Sequence, residues 1–538
     1  MFDFLGKFAT CIVTTCLLYT ATFKSLGILQ QAGYNNKAFW RWLKRKDNLY
    51  FNRLTIWSVL ALFSASLASI ATSLLGDEVS LVAFSSVCYL FAFCYCIADK
   101  KYALKVPVNV TKRLQRLTLG YLFVTAIVIY FILSALGVLE FLIDNEIYTL
   151  FSIAPLAFAP MLTPALLVLA NSLLSPFEKK NNEKYIMQAK NKLQNAKLLK
   201  IGVVGSYGKT SVKNILATIL SQKYSVIFTP ESYNTPVGVA KTVNCLNIDN
   251  AEVFIAEMGA RREGDIAELC ELVGPDYAIF TGVCRQHLET FKTEENLLNA
   301  KFEIVKGVKN TVVCGKSLQG KISACSTLSS AEKEKCLFLD MDTVTKVNLD
   351  AKHTSFTIRL GEESLDVKTT MLGESAVENI ALAVTLAYQL GMTKEEIALG
   401  VEKIKPIEHR LHLIENGGVY ILDDAYNCSE RSAREAISAL CRFEGRKIIV
   451  TPGIVECGVL EEDINKELGA VIAQANLDRV MLVGQTLVQS IKQGYLSAGG
   501  NAEKLALYAS LEQAKISLGK ELGAGDAVLF LNDLPDAY

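Results

Sequence analysis

Residues 199–220 read LKIGVVGSYGKTSVKNILATIL: an apolar strand, a glycine-bearing turn and an amphipathic helix in direct succession. Within it, Gly202-Val203-Val204-Gly205-Ser206-Tyr207-Gly208-Lys209-Thr210-Ser211 has the makings of a phosphate cradle. Glycines let the backbone wrap an anion, and the start of the helix supplies N–H donors and the positive end of a dipole. Lys209 can reach terminal phosphates, and the Thr210 hydroxyl can bind Mg²⁺. The spacing departs from the general GxxxxGK[ST] form, because the earlier glycines are Gly202 and Gly205 and position 203 is Val.

Downstream, short apolar runs alternate with amphipathic helical stretches, the pattern of a doubly wound parallel sheet. One series comprises Ile201 to Val204, Val253 to Ala256, Tyr277 to Thr281 and Val312 to Cys314. A second comprises Val419 to Leu422, Ile448 to Val450, Val480 to Val483 and Val528 to Leu531, so two α/β domains are expected to meet near Pro406. Such sheets bind ligands at the carboxyl ends of their strands. Glu257 falls at such an end, where it could hold Mg²⁺ beside Thr210 or simply cap a helix. His287 falls in the loop after the third run, and Lys301 on a helix beyond it. Taken alone, these two read as a solvated loop histidine and a surface lysine.

Upstream, the apolar excess lies almost entirely before residue 176. Five spans are expected at about 8–28, 54–75, 79–98, 117–139 and 148–174, each near the roughly 20 apolar residues that cross a bilayer. Lys37, Arg41, Lys44, Arg45, Lys46 and Arg53 fill one connection, and Lys100, Lys101, Lys105, Lys112, Arg113 and Arg116 another. The remaining two carry Asp77, Glu78, Glu140, Asp144 and Glu146 without Lys or Arg. The positive-inside bias puts the N-terminus outside and everything beyond 176 in the cytoplasm. Pro155, Pro160 and Pro164 should kink or break the last span, either for helix packing or to make a groove for an amphipathic or lipid-linked substrate. Residues 177–198 look like an amphipathic surface linker. The net charge of zero gives no basis for nucleic-acid binding. The fourteen cysteines, without CxxC pairs, suit a reducing compartment.

The segment Gly-Ser-Tyr-Gly-Lys-Thr at 205–210 resembles the ATP loop of the Mur ligase family. The resemblance continues through Ala256-Glu257-Met258-Gly259-Ala260-Arg261 and Gly264-Asp265-Ile266, which look like the D-alanyl-D-alanine-adding branch. It goes on through His287-Leu288-Glu289, Ala300-Lys301, Arg410 and Asp423-Asp424-Ala425-Tyr426-Asn427. The matches run in order over about 199–538 and leave the first 198 residues uncovered. By this resemblance, Gly205, Ser206, Gly208, Lys209, Thr210 and Ser211 hold ATP phosphates, and Thr210, Glu257, His287 and a carbamylated Lys301 hold Mg²⁺. Lys209, His287 and Lys301 are then the catalytic set. Asn379, Arg410 and Asp424 meet the nucleotide, Asp424 at the ribose. Ser375 and Ala376 stand where many members have His-Asn on the adenine side, which leaves the base contacts open.

The expected fold class is thus an all-α membrane domain (1–176) and a linker (177–198), followed by two α/β domains: a P-loop-type central ATP-binding domain (199–405) and a Rossmann-like C-terminal domain (406–538). The expected function is an ATP- and Mg²⁺-dependent amide-bond ligase at the cytoplasmic face of the cell membrane. It would join a peptide carboxylate, UDP- or lipid-linked, to an amino acid or dipeptide, D-alanyl-D-alanine by resemblance, in peptidoglycan synthesis. A poly-γ-glutamate-type membrane ligase and a P-loop-coupled transporter or sensor are the alternatives.

Overall fold

The computed structural model describes residues 2–44, 50–100, 107–143, 159–246, 248, 250–284, 288–426, 428–455, 457–484 and 487–532. The chain forms two compact units, dividing at Asn181 and Asn182.

The first unit is helical: Phe2–Gln31, Asn36–Leu43, Tyr50–Thr72, Asp77–Lys100, Lys112–Ile143 and the first part of Ala159–Asn195. Among the described residues, three stretches are long and apolar enough to cross a membrane: Ile56–Leu75, Lys112–Ile132 and Met161–Asn195. These correspond to the second, fourth and fifth expected spans. The first and third fall on the helices Phe2–Gln31 and Asp77–Lys100, the latter with a shorter apolar stretch at Ser86–Tyr95. Polar groups tie the helices together inside the unit. Arg116 grips the buried Glu178 through Nε at 2.5 Å and Nη2 at 2.8 Å, and Thr22 donates to the Tyr121 hydroxyl at 2.8 Å. The Asn171 amide donates to the Tyr34 carbonyl and to Asn36 Oδ1.

The expected break at the prolines is corrected in part. Pro155 lies outside the described residues, but the helix from Ala159 runs uninterrupted through Pro164 and Pro176 to Asn195. Each proline deletes one backbone donor, while the flanking Leu, Ala, Glu, Lys and Gln are strong helix formers that carry the helix onward. The expected linker is therefore mostly a continuation of this helix. Its last turns belong to the second unit, where Ala189 and Leu193 are buried and Lys190 pairs with Glu271 at 2.5 Å.

The second unit holds three sheets. Strands β1 (Leu199–Val204), β2 (Val226–Phe228), β3 (Val253–Glu257), β4 (Tyr277–Phe280), β5 (Val312–Cys314) and β6 (Cys336–Phe338) form a parallel sheet in the order β2-β3-β1-β4-β5-β6. Its central strands β1 and β3 are almost wholly buried, largely apolar runs, as a sheet covered on both faces requires, while the edge strands β2 and β6 are half-buried. A three-stranded antiparallel sheet follows: β7 (Val344–Leu349), β8 (Thr354–Leu360) and β9 (Glu363–Thr369). The last sheet contains β10 (His412–Asn416), β11 (Val419–Asp424), β12 (Lys447–Thr451), β13 (Arg479–Val483), β14 (Leu505–Tyr508) and β15 (Ala527–Leu531) in the order β10-β11-β15-β12-β13-β14. Only β10 runs antiparallel to its neighbour. Register sets Val203 of β1 beside Glu257 of β3, so the phosphate loop and this carboxylate leave adjacent strands at the same height.

Candidate active site

The loop after β1 turns into the helix Lys209–Leu220 at Gly208, whose φ of 72° is left-handed. A Cβ there would sit 2.6 Å from Asn379 Oδ1, so glycine is needed for both conformation and space. Asn379, buried on the helix Glu374–Gln389, is thereby packed on the loop. At Gly205 a side chain would run into Thr281, and the Ser206 N–H donates to the Gly282 carbonyl at 2.8 Å. The buried Ser206 hydroxyl has no hydrogen-bond partner among the described residues, a group that a phosphate oxygen would satisfy. Lys209 folds back, donating to the Gly205 carbonyl at 2.9 Å. Ser211 is buried in the first turn.

Glu257, at the end of β3, is almost fully buried. Its carboxylate accepts from Thr210 Oγ1 at 3.0 Å, Lys213 Nζ at 3.2 Å and Asn234 Nδ2 at 3.0 Å. A buried carboxylate held by three donors is charge-compensated and fixed in place. Thr210 and Glu257 are hard oxygen donors set for one small cation. Mg²⁺ suits such a site, since it takes few protein oxygens and keeps water and phosphate for the rest.

Lys301, on the helix Glu294–Gly307, is buried and not the surface lysine that its sequence alone suggests. Burial, reinforced by the charge of Lys209, pulls its amine down to about 7. Burial raises the nearby Cys284 thiol, against the charges of Lys209 and Lys301. His287 lies outside the described residues.

The last sheet contributes from the other side. Asp424 ends β11 in a buried position and accepts from the Leu411 N–H at 3.1 Å. Burial pushes its carboxyl up to about 7, opposed by Arg410. The Arg410 guanidinium lies 4.4 Å from the centre of the Tyr426 ring.

Several partners were not foreseen. Lys213 reads as a solvent residue in an amphipathic helix, yet it is fully buried, pairing with Glu257 and donating to the Glu231 carbonyl. Its place four residues after Lys209, on the same helical face, was the available signal. Asn234, in the loop before the helix Pro236–Cys245, offered none. Arg431, on the helix Glu430–Leu440, donates to the Tyr207 hydroxyl and, at 2.5 Å, to Glu378. Its guanidinium lies 4.4 Å from the Tyr207 ring centre. Glu435 accepts from both the backbone N–H and the hydroxyl of Ser375.

A glycine-turned phosphate loop, a buried acid facing the loop threonine and a second α/β domain bonded across them define a nucleotide-dependent α/β enzyme. Residues 203–387 match the Mur ligase middle domain. The UDP-N-acetylmuramoyl-tripeptide–D-alanyl-D-alanine ligase of Bacillus subtilis (strain 168) is 30% identical over 337 residues, 61% of this chain and 72% of that one. The ligase of the same name from Escherichia coli (strain K12) is 28% identical over 53% of this chain and 64% of its own length. Among solved structures, MurF ligase from Thermotoga maritima in complex with ADP aligns with a TM-score of 0.57 and 27% identity, covering 65% of this chain and 80% of that one. The chain belongs to the Mur ligase family, and it is an ATP- and Mg²⁺-dependent, ADP-forming amide-bond ligase.

Proposed function

We propose that this ligase is anchored in the membrane and works at its cytoplasmic face in peptidoglycan precursor synthesis, joining a peptide carboxylate to D-alanyl-D-alanine or a closely similar amine. The observation that carries the reading is the gathering of Lys209, Thr210, Glu257 and Lys301 about one phosphate loop. A carboxylate resists attack by an amine, so its oxygen first takes the γ-phosphoryl group of ATP and leaves as phosphate when the amine attacks. Phosphoryl transfer depends on positioning and charge neutralisation. Lys209 and the loop N–H groups would hold the phosphates, and Thr210 and Glu257 would hold Mg²⁺, which supplies charge neutralisation when bound. A carbamate on Lys301 would turn its buried amine into an anion for a second Mg²⁺, with His287 as a further ligand. Asn379 would steady the loop, while Arg410 and Asp424 would meet the nucleotide from the C-terminal domain.

The similarity to the D-alanyl-D-alanine ligases supports the donor. The acceptor is less constrained, because the family match begins only at residue 203 and apolar helices occupy the N-terminal unit. A lipid-linked peptide fits that arrangement, with the cationic connections at 35–53 and 99–116 on the cytoplasmic side. The test is to incubate the full chain with ATP, Mg²⁺, D-alanyl-D-alanine and either UDP-linked or lipid-linked tripeptide, following phosphate release and product mass. Phosphate release matched by a dipeptide mass gain supports the reading, whereas neither product with either acceptor overturns it. Lys209→Ala should lower turnover on the order of 10²- to 10³-fold, the usual cost of deleting one preorganised charge-stabilising group.

A further inference from the structure

Within the N-terminal unit, a belt of polar contacts joins the turn after the helix Phe2–Gln31, the start of the helix Lys112–Ile143 and positions 171–178 of the helix Ala159–Asn195. The Gln30 amide donates to the Asn109 carbonyl at 2.6 Å and accepts from the Asn109 N–H at 3.0 Å. The Asn171 amide holds the Tyr34 carbonyl at 2.9 Å. Three chain segments therefore fix the surroundings of Tyr34.

Tyr34 has a left-handed φ of 61°, following Gly33 at 64°. Glycine takes that conformation freely, whereas a residue with a Cβ loses roughly 1–2 kcal/mol in it. A strained residue held in place by its neighbours points to a use for its side chain. Here the ring carries the Arg113 guanidinium, whose centre lies 3.9 Å from the ring centre. Arg113 is half-buried, and among the described residues no oxygen accepts a hydrogen bond from it. Three residues further along the helix, Arg116 engages both oxygens of Glu178, so that acid is already matched. The stacked guanidinium is left as an oriented planar fork of donors with positive charge to spare, the geometry that suits a phosphate.

Arg113 lies in the first turn of Lys112–Ile132, a stretch long enough and apolar enough to cross a membrane. In an embedded unit that is the depth of the lipid headgroups. From Arg116 onward, Leu119, Phe123 and Ile127 continue one helix face and are exposed by 67%, 68% and 39%. An anionic head at the arginine thus has an apolar ridge beneath it for its chains.

We propose that Arg113, stacked on Tyr34, binds the phosphate headgroup of an anionic lipid on the cytoplasmic side of the bilayer. The inference rests on the membrane-embedded reading of this unit and stands apart from the ligase chemistry.

The test takes the full chain in detergent and follows bound lipid by native mass spectrometry, titrating phosphatidic acid against the diacylglycerol of the same chains, which lacks the phosphate. A hydrogen-bonded charge pair is worth about tenfold or more in affinity, so the wild type should hold phosphatidic acid at least about tenfold more tightly than diacylglycerol. In Arg113→Gln that preference should fall to within about twofold. Lys37→Gln removes the same charge from the exposed start of the helix Asn36–Leu43 and should keep the wild-type preference. Arg113→Lys, which keeps the charge without the planar fork, should show an intermediate preference and serves if Arg113→Gln does not fold. An undiminished preference in either Arg113 variant, no discrimination in the wild type, or an equal loss in Lys37→Gln would overturn the assignment. So would displacement of the lipid by inorganic phosphate at matching concentration, which would make a soluble anion the occupant. If the wild type retains neither lipid, the embedding of the unit itself fails, which separates that outcome from a failure of the site.

Discussion

At Glu257 the loop threonine, a helix lysine and a loop asparagine all converge on one buried carboxylate, and the neighbouring Lys301 presents the opposite problem of a buried amine. An ammonium beside Mg²⁺ would repel the metal, whereas a carbamate would bind it, and carbamate formation needs the neutral amine that burial favours. Lys301→Ala should therefore lose most turnover, and short-chain carboxylates should partly restore it. Lys301→Arg should resist rescue, because a permanent cation fills the space. Near-normal turnover of Lys301→Ala at limiting Mg²⁺ would remove the carbamate from the scheme. Asp424 makes a prediction in pH. Its folded carboxyl is raised from 3.8 to about 7, so between those values the folded chain holds more protons than the unfolded one. Stability from this group falls as pH rises through that window and is flat above it. Asp424→Asn keeps an oxygen for the Leu411 N–H and never charges, so its thermal midpoint should gain on wild type more at pH 8 than at pH 5. An equal or reversed gain would show that Arg410 fully offsets the burial. Lys209, Thr210 and Glu257 were legible in the sequence because a motif and a strand end mark them. Arg431 and Glu435 were not, since nothing local distinguishes a surface charge from one that the fold turns inward, and Lys213 carried only its spacing from Lys209.

Among the elements, the strands bearing site residues were read to within a residue or two, because fully buried parallel strands are uninterrupted apolar runs. The β7–β9 sheet was missed although β8, Thr354–Leu360, alternates in burial along its length. Attention to unbroken apolar runs passes over strands of period two. The β2 and β6 edges are three residues each, too short to announce themselves. The loop-to-helix joint is the element most sensitive to a single atom. Gly208→Ala would force a left-handed alanine, costing roughly 1–2 kcal/mol, and would press its Cβ on Asn379 Oδ1. The expected result is a lowered thermal midpoint together with at least about tenfold weaker ADP binding. An unchanged ADP affinity would mean that the loop does not rely on this joint to present its N–H groups.

On the scale of the whole chain, the membrane reading follows from charge asymmetry as well as apolar length, and these are independent features of the sequence. Apolar length says that helices can cross, as three described stretches can. Only the Lys and Arg in the connections say which way they face, and Arg45, Lys46, Lys101 and Lys105 lie outside the described residues. Orientation is therefore best tested from the catalytic unit. Cys428 and Cys457 are poor reporters there, both being buried, since a thiol reagent would fail to reach them on either side of a bilayer. Cys245 and Cys441 are exposed and should react freely once reached. In sealed cells a membrane-impermeant maleimide should leave both unlabelled, and permeabilisation should label them, with Cys441→Ser removing one adduct from the mass spectrum. An ATP-consuming ligase needs its nucleotide site on the cytoplasmic side. Labelling of Cys245 or Cys441 in sealed cells would reverse the orientation and separate the site from its ATP, leaving the ligase chemistry without its substrate.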